Sequence, residues 1–480
     1  MKFLLLQIPP GFVFSSDLDK PQKISSYHPP LGLLYLGSVL ENEGHTVEII
    51  DFLAEHYPLN TVKKNLLSTD AVGISIFSSA YNETMHGGRY TYAYKESAKV
   101  AGLIKKIDPK VPIIIGGPHC SIQPRESLNE IPSADISVEG EGEQVITEIG
   151  KALEGTKTLS KIHGIYYREN NLIKKGKPAK VIEDLDSIPF PARHLIDKYD
   201  YSIAAKSNFF KPKFTSMITG RGCPFNCSFC TRNTLGFKTF RKRSVENVVN
   251  EIEEINKTYN SVMIVDDTFL VDEQRANNIL DRLIEIGTDI EIYIQGARVD
   301  IAKKELFLKM KKAGVKHLYY GLESGNQDVL NFYNKNVNID QIRKAINLSS
   351  EMDFYTAGTF ILGAPIETKK HIENNISFAT SLPLDAVIFT ILTYKYGSQL
   401  WDEAEKSGKI SNSDGYTVVA DRRNGLGNFT SEELEEFYRI AIKRFYIRPM
   451  YLLRQILKVF KEEDYNAIKA GLNLLTSIIS

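Results

Sequence analysis

Short apolar runs alternate with helix-length amphipathic segments through the first third of the chain. KFLLLQI, TVEIID, AVGISIF, VPIIIGG and ADISVEG read as strands, and LGLLYLGSVLENEG and ESAKVAGLIKKIDP as helices between them. Runs that are apolar throughout, and not at every second position, belong to strands covered on both faces. With helices between them they imply an α/β fold with a parallel, doubly wound, Rossmann-like sheet over residues 1–154. Residues 155–213 then read as a linker, with a short hairpin from Gly164 to Lys174 and a connector marked by Pro189 and Pro191. From 214 to 400 the alternation resumes. TSMITGRGC, SVMIVDD, EIYIQGARV, KHLYYGLESG, FYTAGTFILGA and LDAVIFTIL read as strands, with amphipathic helices between, which predicts a partial (β/α)6 barrel of TIM type. The remainder, 401–480, reads as a helical C-terminal region, with a helix start at Ser431 ahead of acidic residues.

In both architectures ligands sit at the carboxyl ends of the strands. In the first domain those ends carry small or turn-forming residues: Pro9-Pro10-Gly11, Ser78-Ser79-Ala80 and Gly116-Gly117-Pro118-His119. In the barrel they carry Asp266 and Asp267, Gln295 and Arg298, Glu323 and Ser324, and Gly363 to Pro365. Carboxylates suit an amine or hydroxyl groups, and a guanidinium pairs with a carboxylate through two hydrogen bonds. His28, His86 and His119 read as loop or packing residues, and Cys120 as a free thiol.

The sharpest signal is GRGCPFNCSFCTR, Gly220 to Arg232, where Cys223, Cys227 and Cys230 form a C-x3-C-x2-C set. They are three of only four cysteines. Thiolates are ligands for iron–sulfur clusters, zinc or copper(I). Structural zinc wants four donors, and no fourth Cys or His is near in sequence: the closest are His194 and Cys120. Three thiolates fit a four-iron cluster that keeps one iron open. Gly220, Gly222, Pro224 and Asn226 suit a tight loop wrapped round it.

With Phe229 ahead of the third cysteine, the stretch resembles the signature of the radical S-adenosylmethionine (SAM) superfamily residue for residue. The resemblance implies that the open iron chelates the amino and carboxylate groups of SAM. Electron transfer then yields methionine and a 5′-deoxyadenosyl radical that abstracts hydrogen from a substrate. It further implies SAM contacts by the Asp266–Asp267 pair at the amine, by Arg298 and Glu323 near ribose or carboxylate, and by Phe229 and the backbone at Cys230 with adenine. Pro-Pro-Leu-Gly at 29–32, GGPH at 116–119 and GEGE at 140–143 resemble the cobalamin-binding domain that precedes the barrel in one large subgroup. On that resemblance Gly116, Gly117 and Pro118 contact a corrinoid. The connector Ile188–Arg193 also resembles that subgroup.

Three departures stand out. The D-x-H-x-x-G motif that supplies a lower axial histidine is absent, the first-strand loop reading Pro9-Pro10-Gly11-Phe12. The family's Pro-Gly-Thr segment appears as Lys395-Tyr396-Gly397-Ser398, where Tyr394 and Tyr396 either line a pocket or pack. Cys120 alone cannot carry the second cluster of methylthiotransferases.

The implied activity is cobalamin-dependent methylation of an unactivated carbon, in which one SAM methylates cob(I)alamin and another supplies the radical. Ring closure, ring contraction or oxidation without methyl transfer remains open, as does a cluster or corrinoid carrier that does not turn over SAM. Asp266, Arg298 and Glu323 argue against the carrier, since holding a cluster does not require them. The expected cofactors are a [4Fe-4S] cluster, SAM and cobalamin. The expected partners are a small-molecule or lipid-like substrate and a reductant such as flavodoxin or ferredoxin.

Composition narrows the partners. Lys plus Arg and Asp plus Glu number 59 each, so no overall charge favours nucleic acid. A chain of 480 residues implies two or three domains. The N-terminal MKFLLLQIPPGF reads as a buried strand and not as a signal peptide, and no apolar run reaches membrane-spanning length. Few cysteines outside the motif argue against a secreted disulfide framework and for a cytoplasmic protein. The C-terminal helices, with Arg444, Arg448 and Arg454 among Phe445, Tyr446, Tyr451 and Leu452, read as a packed cap, the alternative being a peripheral membrane contact.

Overall fold

The apolar runs of the first third pair side by side. β1 (Lys2–Gln7), β2 (Thr46–Asp51), β3 (Ala71–Ser75), β4 (Ile113–Gly116) and β5 (Ile136–Val138) form a parallel ladder in the order β2-β1-β3-β4-β5. The computed structural model describes residues 1–9, 28–76, 81–82, 90–91, 93–201, 213–231, 239–411 and 416–462. Contacts divide the chain into two units, Met1–Ile203 and Ala204–Ser480.

The strand order of the first unit reverses between β1 and β3, where a doubly wound sheet opens its ligand crevice. Helices α1 (Leu31–Asn42), α2 (Ala93–Ile107) and α3 (Glu143–Leu153) run between the strands. The strands carry Leu4, Leu6, Ile50, Val72, Ile74, Ile113 and Ile115 into a core completed by Val100 and Ile104 of α2. The helix at Pro58–Leu66, absent from the sequence expectation, opens on Pro58 and buries Leu59, Val62 and Leu66.

The hairpin expected within a linker has a different place. β6 (Ile165–Glu169) and β7 (Leu172–Lys175) continue the sheet antiparallel beyond β5, and Asn170 and Asn171 turn the chain at positive φ. Residues 185–201 strap back over α1 and β2. Ala192 N–H donates to Leu34 O at 3.0 Å, and the Tyr201 hydroxyl donates to the buried Asp51 at 2.9 Å. Contacts therefore assign 155–201 to the first unit, because the hairpin gains ladder hydrogen bonds there that a free linker would leave to water.

In the second unit six parallel strands follow one another in chain order: β8 (Phe214–Met217), β9 (Ser261–Ile264), β10 (Glu291–Ala297), β11 (Val315–Glu323), β12 (Tyr355–Leu362) and β13 (Ala386–Ile391). Between them lie α4 (Val245–Asn256), α5 (Glu273–Ile286), α6 (Lys304–Lys312), α7 (Ile339–Glu351) and α8 (Lys369–Ser381). Local chemistry sets their starts. Ser244 and Asp272 cap α4 and α5, and Asn338–Gln341 and Thr368–His371 form capping boxes for α7 and α8. One core joins sheet and helices through Val262, Ile292, Leu318, Ile252, Leu283 and Ile346.

Beyond β13 a hairpin pairs Thr393–Lys395 with Thr417–Val419, which the expected all-helical region did not include. Helices α9 (Ser431–Tyr446) and α10 (Pro449–Glu462) follow. The cap of α9 is Thr430 and not Ser431, because Thr430 has Glu433 three residues on to complete a capping box. Phe445 enters the core, and the Tyr446 hydroxyl donates to Val387 O at 2.9 Å, so α9 is a packed cap. α10 is held by Asp385, which is 2% exposed at the start of β13. One oxygen accepts from Thr356 N–H at 2.9 Å, the other from Arg454 at 2.9 Å, Lys458 at 2.7 Å and Gln455 at 3.2 Å.

Asp385→Ala strands these donors. It should destabilise the second unit by about 3 kcal/mol, the low end for a buried pair broken on one side, because Arg454 and Lys458 keep water contact. A lowered thermal midpoint with faster proteolysis inside 449–462 is the expected result. An unchanged midpoint would show that apolar contacts alone hold α10.

Candidate active site

The carboxyl ends of the six strands bring the cysteine loop together with most of the polar residues expected there. The loop leaves β8 at Thr219, which is fixed on all sides. Its N–H and hydroxyl donate to the two oxygens of Asp266 at 2.6 and 2.5 Å. Its carbonyl accepts from Arg243 N–H at 3.0 Å and from the Arg275 guanidinium at 2.6 Å. Arg243 is itself paired with buried Glu251 and donates to Ile218 O at 2.7 Å. The far side of the loop is tied to the segment after β11. Ser228 N–H donates to Tyr333 O at 3.0 Å, and Asn334 donates to Asn226 O at 2.8 Å. Leu400 N–H donates to Ser228 O at 3.0 Å, so the helix Gln399–Lys406 clasps it as well.

Cys223, Cys227 and Cys230 are partly exposed along this loop. Burial pushes the Cys223 and Cys227 thiols above the ordinary range, so ligation has to draw off their protons. Among the described residues no three His, Cys, Asp or Glu side chains converge on one point as ligands of a single ion would. Thiolates that each take a different iron of a four-iron cluster need not converge, so the donor set fits such a cluster. Cys120 differs: it is fully buried in the first unit, its thiol is pushed up to about 12 by burial, and it packs as a small apolar side chain.

The strand-end residues divide into two groups. Asp266 is 3% exposed, and both its oxygens are taken by Thr219, so it braces the loop. Its neighbour Asp267 is half-buried and acts electrostatically on Cys223. Arg298 lies against the loop, its guanidinium 3.5 Å from the Phe225 ring centroid and doubly bonded to Asp300 at 3.0 and 2.8 Å. Glu323 stands at a bulge at the end of β11, in the left-handed region at φ 63°, where a non-glycine residue is strained. Its carboxylate pairs at 2.6 Å with Lys335, whose side chain is 12% exposed. A Cβ at Gly321 would lie 2.6 Å from that carboxylate, so the bare backbone there makes room for the pair. Lys335 in turn acts electrostatically on Cys227. Phe229 packs edge-on to Tyr333 at 5.1 Å, beside an apolar cluster of Ile361, Tyr394 and Trp401. Tyr394 belongs to that packing, since its hydroxyl donates to Leu426 O at 3.1 Å.

Lys335 stands out among the charges near the cysteines, and the sequence pattern did not single it out, whereas Asp267 was marked as half of the strand-end pair with Asp266. Lys335 follows a short helix, Gln327–Phe332, and its approach to Glu323 depends on where that helix turns back. An isolated lysine gives no periodic signal. Glu367 was missed too. One of its oxygens accepts from Gly363 and Ala364 N–H at 2.6 and 2.8 Å, the other is buried without a partner, and burial raises its carboxyl to about 7.

In the first unit Gly116 ends β4, and Gly117 has φ 99°, with an ideal Cβ only 2.7 Å from Ile76 O. Bare backbone is therefore required where Pro118 opens the next helix. Ser121 ties this turn to Gly140 by accepting its N–H at 3.1 Å. His119 is buried and bonded to Glu130 at 2.8 Å, a packing residue as expected. Pro10, Gly11, Phe12, Ser78–Ala80 and His86 lie outside the described residues. Bare, clasped backbone at the carboxyl end of β4 fits a flat ligand laid over the strand ends.

Two family models match the chain: the radical SAM superfamily over residues 217–379 and the B12 binding domain over residues 22–150. The chain is 32% identical over 459 residues to an uncharacterized methyltransferase of Pyrococcus horikoshii, covering 94% of each. It is 25% identical over 417 residues to the anaerobic magnesium-protoporphyrin IX monomethyl ester cyclase of Cereibacter sphaeroides, covering 83% of this chain and 64% of that one. Among solved structures it resembles OxsB, a cobalamin-dependent SAM radical enzyme seen with aqua-cobalamin and SAM bound. The TM-score is 0.68 at 18% identity, over 98% of this chain and 72% of that one.

The two aspartates should separate by experiment. Asp266→Asn weakens the grip on Thr219, so bound iron after anaerobic reconstitution should fall severalfold while SAM affinity of the loaded fraction holds. Asp267→Asn should keep its iron. Full iron with lost SAM binding in Asp266→Asn would return that residue to direct contact. A second expectation concerns pH. Asp51 and Asp266, each raised to about 6, and Glu367, raised to about 7, bind protons more tightly folded than unfolded. Their contribution to stability is therefore fully present below the ordinary carboxyl range and is lost as pH rises through about 4 to 7. Glu367→Gln should flatten the upper part of that fall in denaturant midpoints of the cluster-free protein. An unchanged slope would remove Glu367 as its source.

Proposed function

The chain belongs to the radical SAM superfamily and carries a B12-binding domain ahead of its radical SAM domain, and we propose that it is a cobalamin-dependent methyltransferase acting on an unactivated carbon. It is an enzyme of the radical SAM class, and its two domains imply a [4Fe-4S] cluster, SAM and cobalamin. When bound, the cluster supplies the electron that cleaves SAM and cobalamin supplies the methyl group. The observation that carries this assignment is the three-thiol loop held next to a largely buried Glu323–Lys335 pair.

Cys223, Cys227 and Cys230 would hold the cluster and leave one iron for SAM. Glu323 and Lys335 already form a largely buried zwitterion, and the methionine end of SAM is one too. Exchange of partners lets Glu323 accept from the amine and Lys335 donate to the carboxylate without leaving either charge unpaired. Glu323 takes up this pairing from a backbone in the left-handed region. Asp267 adds negative charge near Cys223 for the amine or ribose. Arg298, clamped by Asp300 and Phe225, is a fixed cation that offsets thiolate charge. Phe229 offers an apolar edge to adenine, and Asp266 acts through Thr219. Gly116, Gly117 and Pro118 would lie under the corrinoid. The proposed limits are 1–154 for the corrinoid domain and 214–400 for the barrel, with 155–201 packed as an extension of the first unit and 401–480 beyond.

The substrate is a small molecule, and an external one-electron donor of flavodoxin or ferredoxin type completes the cycle. The compartment is cytoplasmic and low in oxygen. None of the helices described is long and apolar enough to cross a membrane. The likeness to a cyclase keeps a second chemistry in view, ring closure without methyl transfer.

Anaerobic reconstitution with iron, sulfide and hydroxocobalamin should give about four irons per chain for a [4Fe-4S] cluster, together with stoichiometric cobalt. Methyl-labelled SAM should then label a product heavier by a methyl group. Iron without cobalt would remove the methyl-transfer assignment, a product lighter by hydrogens would favour the cyclase chemistry, and zinc would sink both. Lys335→Met should weaken SAM binding at least tenfold with iron retained, and Lys335→Arg should recover part of it. Unaltered SAM affinity in Lys335→Met would exclude the zwitterion exchange.

A further inference from the structure

Helix α10 is built inside out. Its inward side carries Arg454, Gln455 and Lys458, all bonded to Asp385, and Tyr451, whose hydroxyl donates to Asp385 O at 2.7 Å. Its outward side carries Met450, Leu453, Ile456, Leu457 and Phe460, exposed by 74, 49, 51, 60 and 61%. At 100° per residue these five occupy one stripe of about a third of the circumference. Four bonds to the buried Asp385, one each from Tyr451, Arg454, Gln455 and Lys458, prevent the helix from rolling to bury that stripe. Isolated exposed apolar residues are ordinary; five on one pinned face are not.

The stripe extends towards the end of α9 through Ile440 and Ile447, 38 and 43% exposed. Arg439 and Lys443 lie beside them, exposed and with no ion pair among the described residues. We infer that this outer face seats the protein on an anionic lipid surface: the apolar stripe enters the acyl boundary, and Arg439 and Lys443 meet the headgroups. Glu436 is exposed beside them, so with Arg439 and Lys443 the face carries a net charge of +1 (two cations, one carboxylate); two such faces repel, whereas an anionic surface attracts. The inference goes beyond the proposed chemistry and does not depend on cluster or corrinoid, so either can fail alone.

Co-sedimentation of the full chain with vesicles tests it. Binding is expected to phosphatidylcholine vesicles containing phosphatidylglycerol, to fall with salt, and to be weak for phosphatidylcholine alone. Leu453→Ser/Leu457→Ser/Phe460→Ser and, separately, Arg439→Glu/Lys443→Glu should each lower the partition coefficient by roughly tenfold or more, at about fivefold per lost cation. Circular dichroism should stay unchanged, because every altered side chain is exposed. Equal binding by both variants, or no binding to either vesicle, overturns the proposal. So does a wild-type dimer that the triple variant turns into a monomer, which would assign the face to a second copy.

Discussion

Thr219 is the residue through which the barrel controls its cysteine loop. It is the last position before Gly220, and its amide, hydroxyl and carbonyl are all bonded to groups that themselves cannot move. Asp266 comes from the neighbouring strand end, Arg275 from α5, and Arg243 from the segment that returns after the loop. Among its described residues the cysteine loop otherwise has little regular structure, only the short pairing of Gly220–Arg221 with Arg241–Lys242. Burying two guanidiniums and two carboxylates is costly unless each is paired and hydrogen-bonded. Here all four are hydrogen-bonded and Arg243 and Glu251 are also an ion pair, so the loop starts from one fixed point.

The same economy of charge governs the other side of the site. Glu323 takes a backbone conformation that costs of order 1–3 kcal/mol, and Gly321 leaves room for its carboxylate to reach Lys335. A pair already largely desolvated in the resting protein spares an incoming zwitterion from stripping water off two separate charges. It also sets charge of both signs beside Cys227, so the thiol is not surrounded by cations alone. The barrel scaffold and the cysteine loop thus meet through hydrogen bonds at Thr219, Asn226 and Ser228, with Phe229 packed on Tyr333 beside Trp401.

Beyond the barrel the chain spends its polar contacts on anchoring. Asp385 draws α10 in by its cations and leaves the apolar side out, the reverse of a surface helix on a globular core. α9, only a turn away, packs in the ordinary sense through Phe445 and Tyr446. The apolar stripe of α10 therefore faces outward, and exposed Ile440 and Ile447 add to it from α9.

The sequence by itself determined the parallel strands of the two sheets and the grouping of three cysteines in one loop. Uninterrupted apolar runs can satisfy themselves only when covered on both faces, and three cysteines at C-x3-C-x2-C spacing lie within one loop whatever surrounds them. It also marked which strand ends carry charge. Tertiary structure alone decided what each charge does. Asp266 and Asp267 are adjacent in sequence, yet one turns inward to Thr219 and the other towards Cys223, because successive side chains leaving a strand point to opposite sides. Lys335 reaches Glu323 only through the turn of an intervening helix, and Gly164–Lys174 joins the first sheet because its ladder partners lie there. Whether Arg454 and Lys458 face water or a buried carboxylate depended on Asp385, some seventy positions away. Such pairings are set by three-dimensional proximity, and no local period in the chain encodes them.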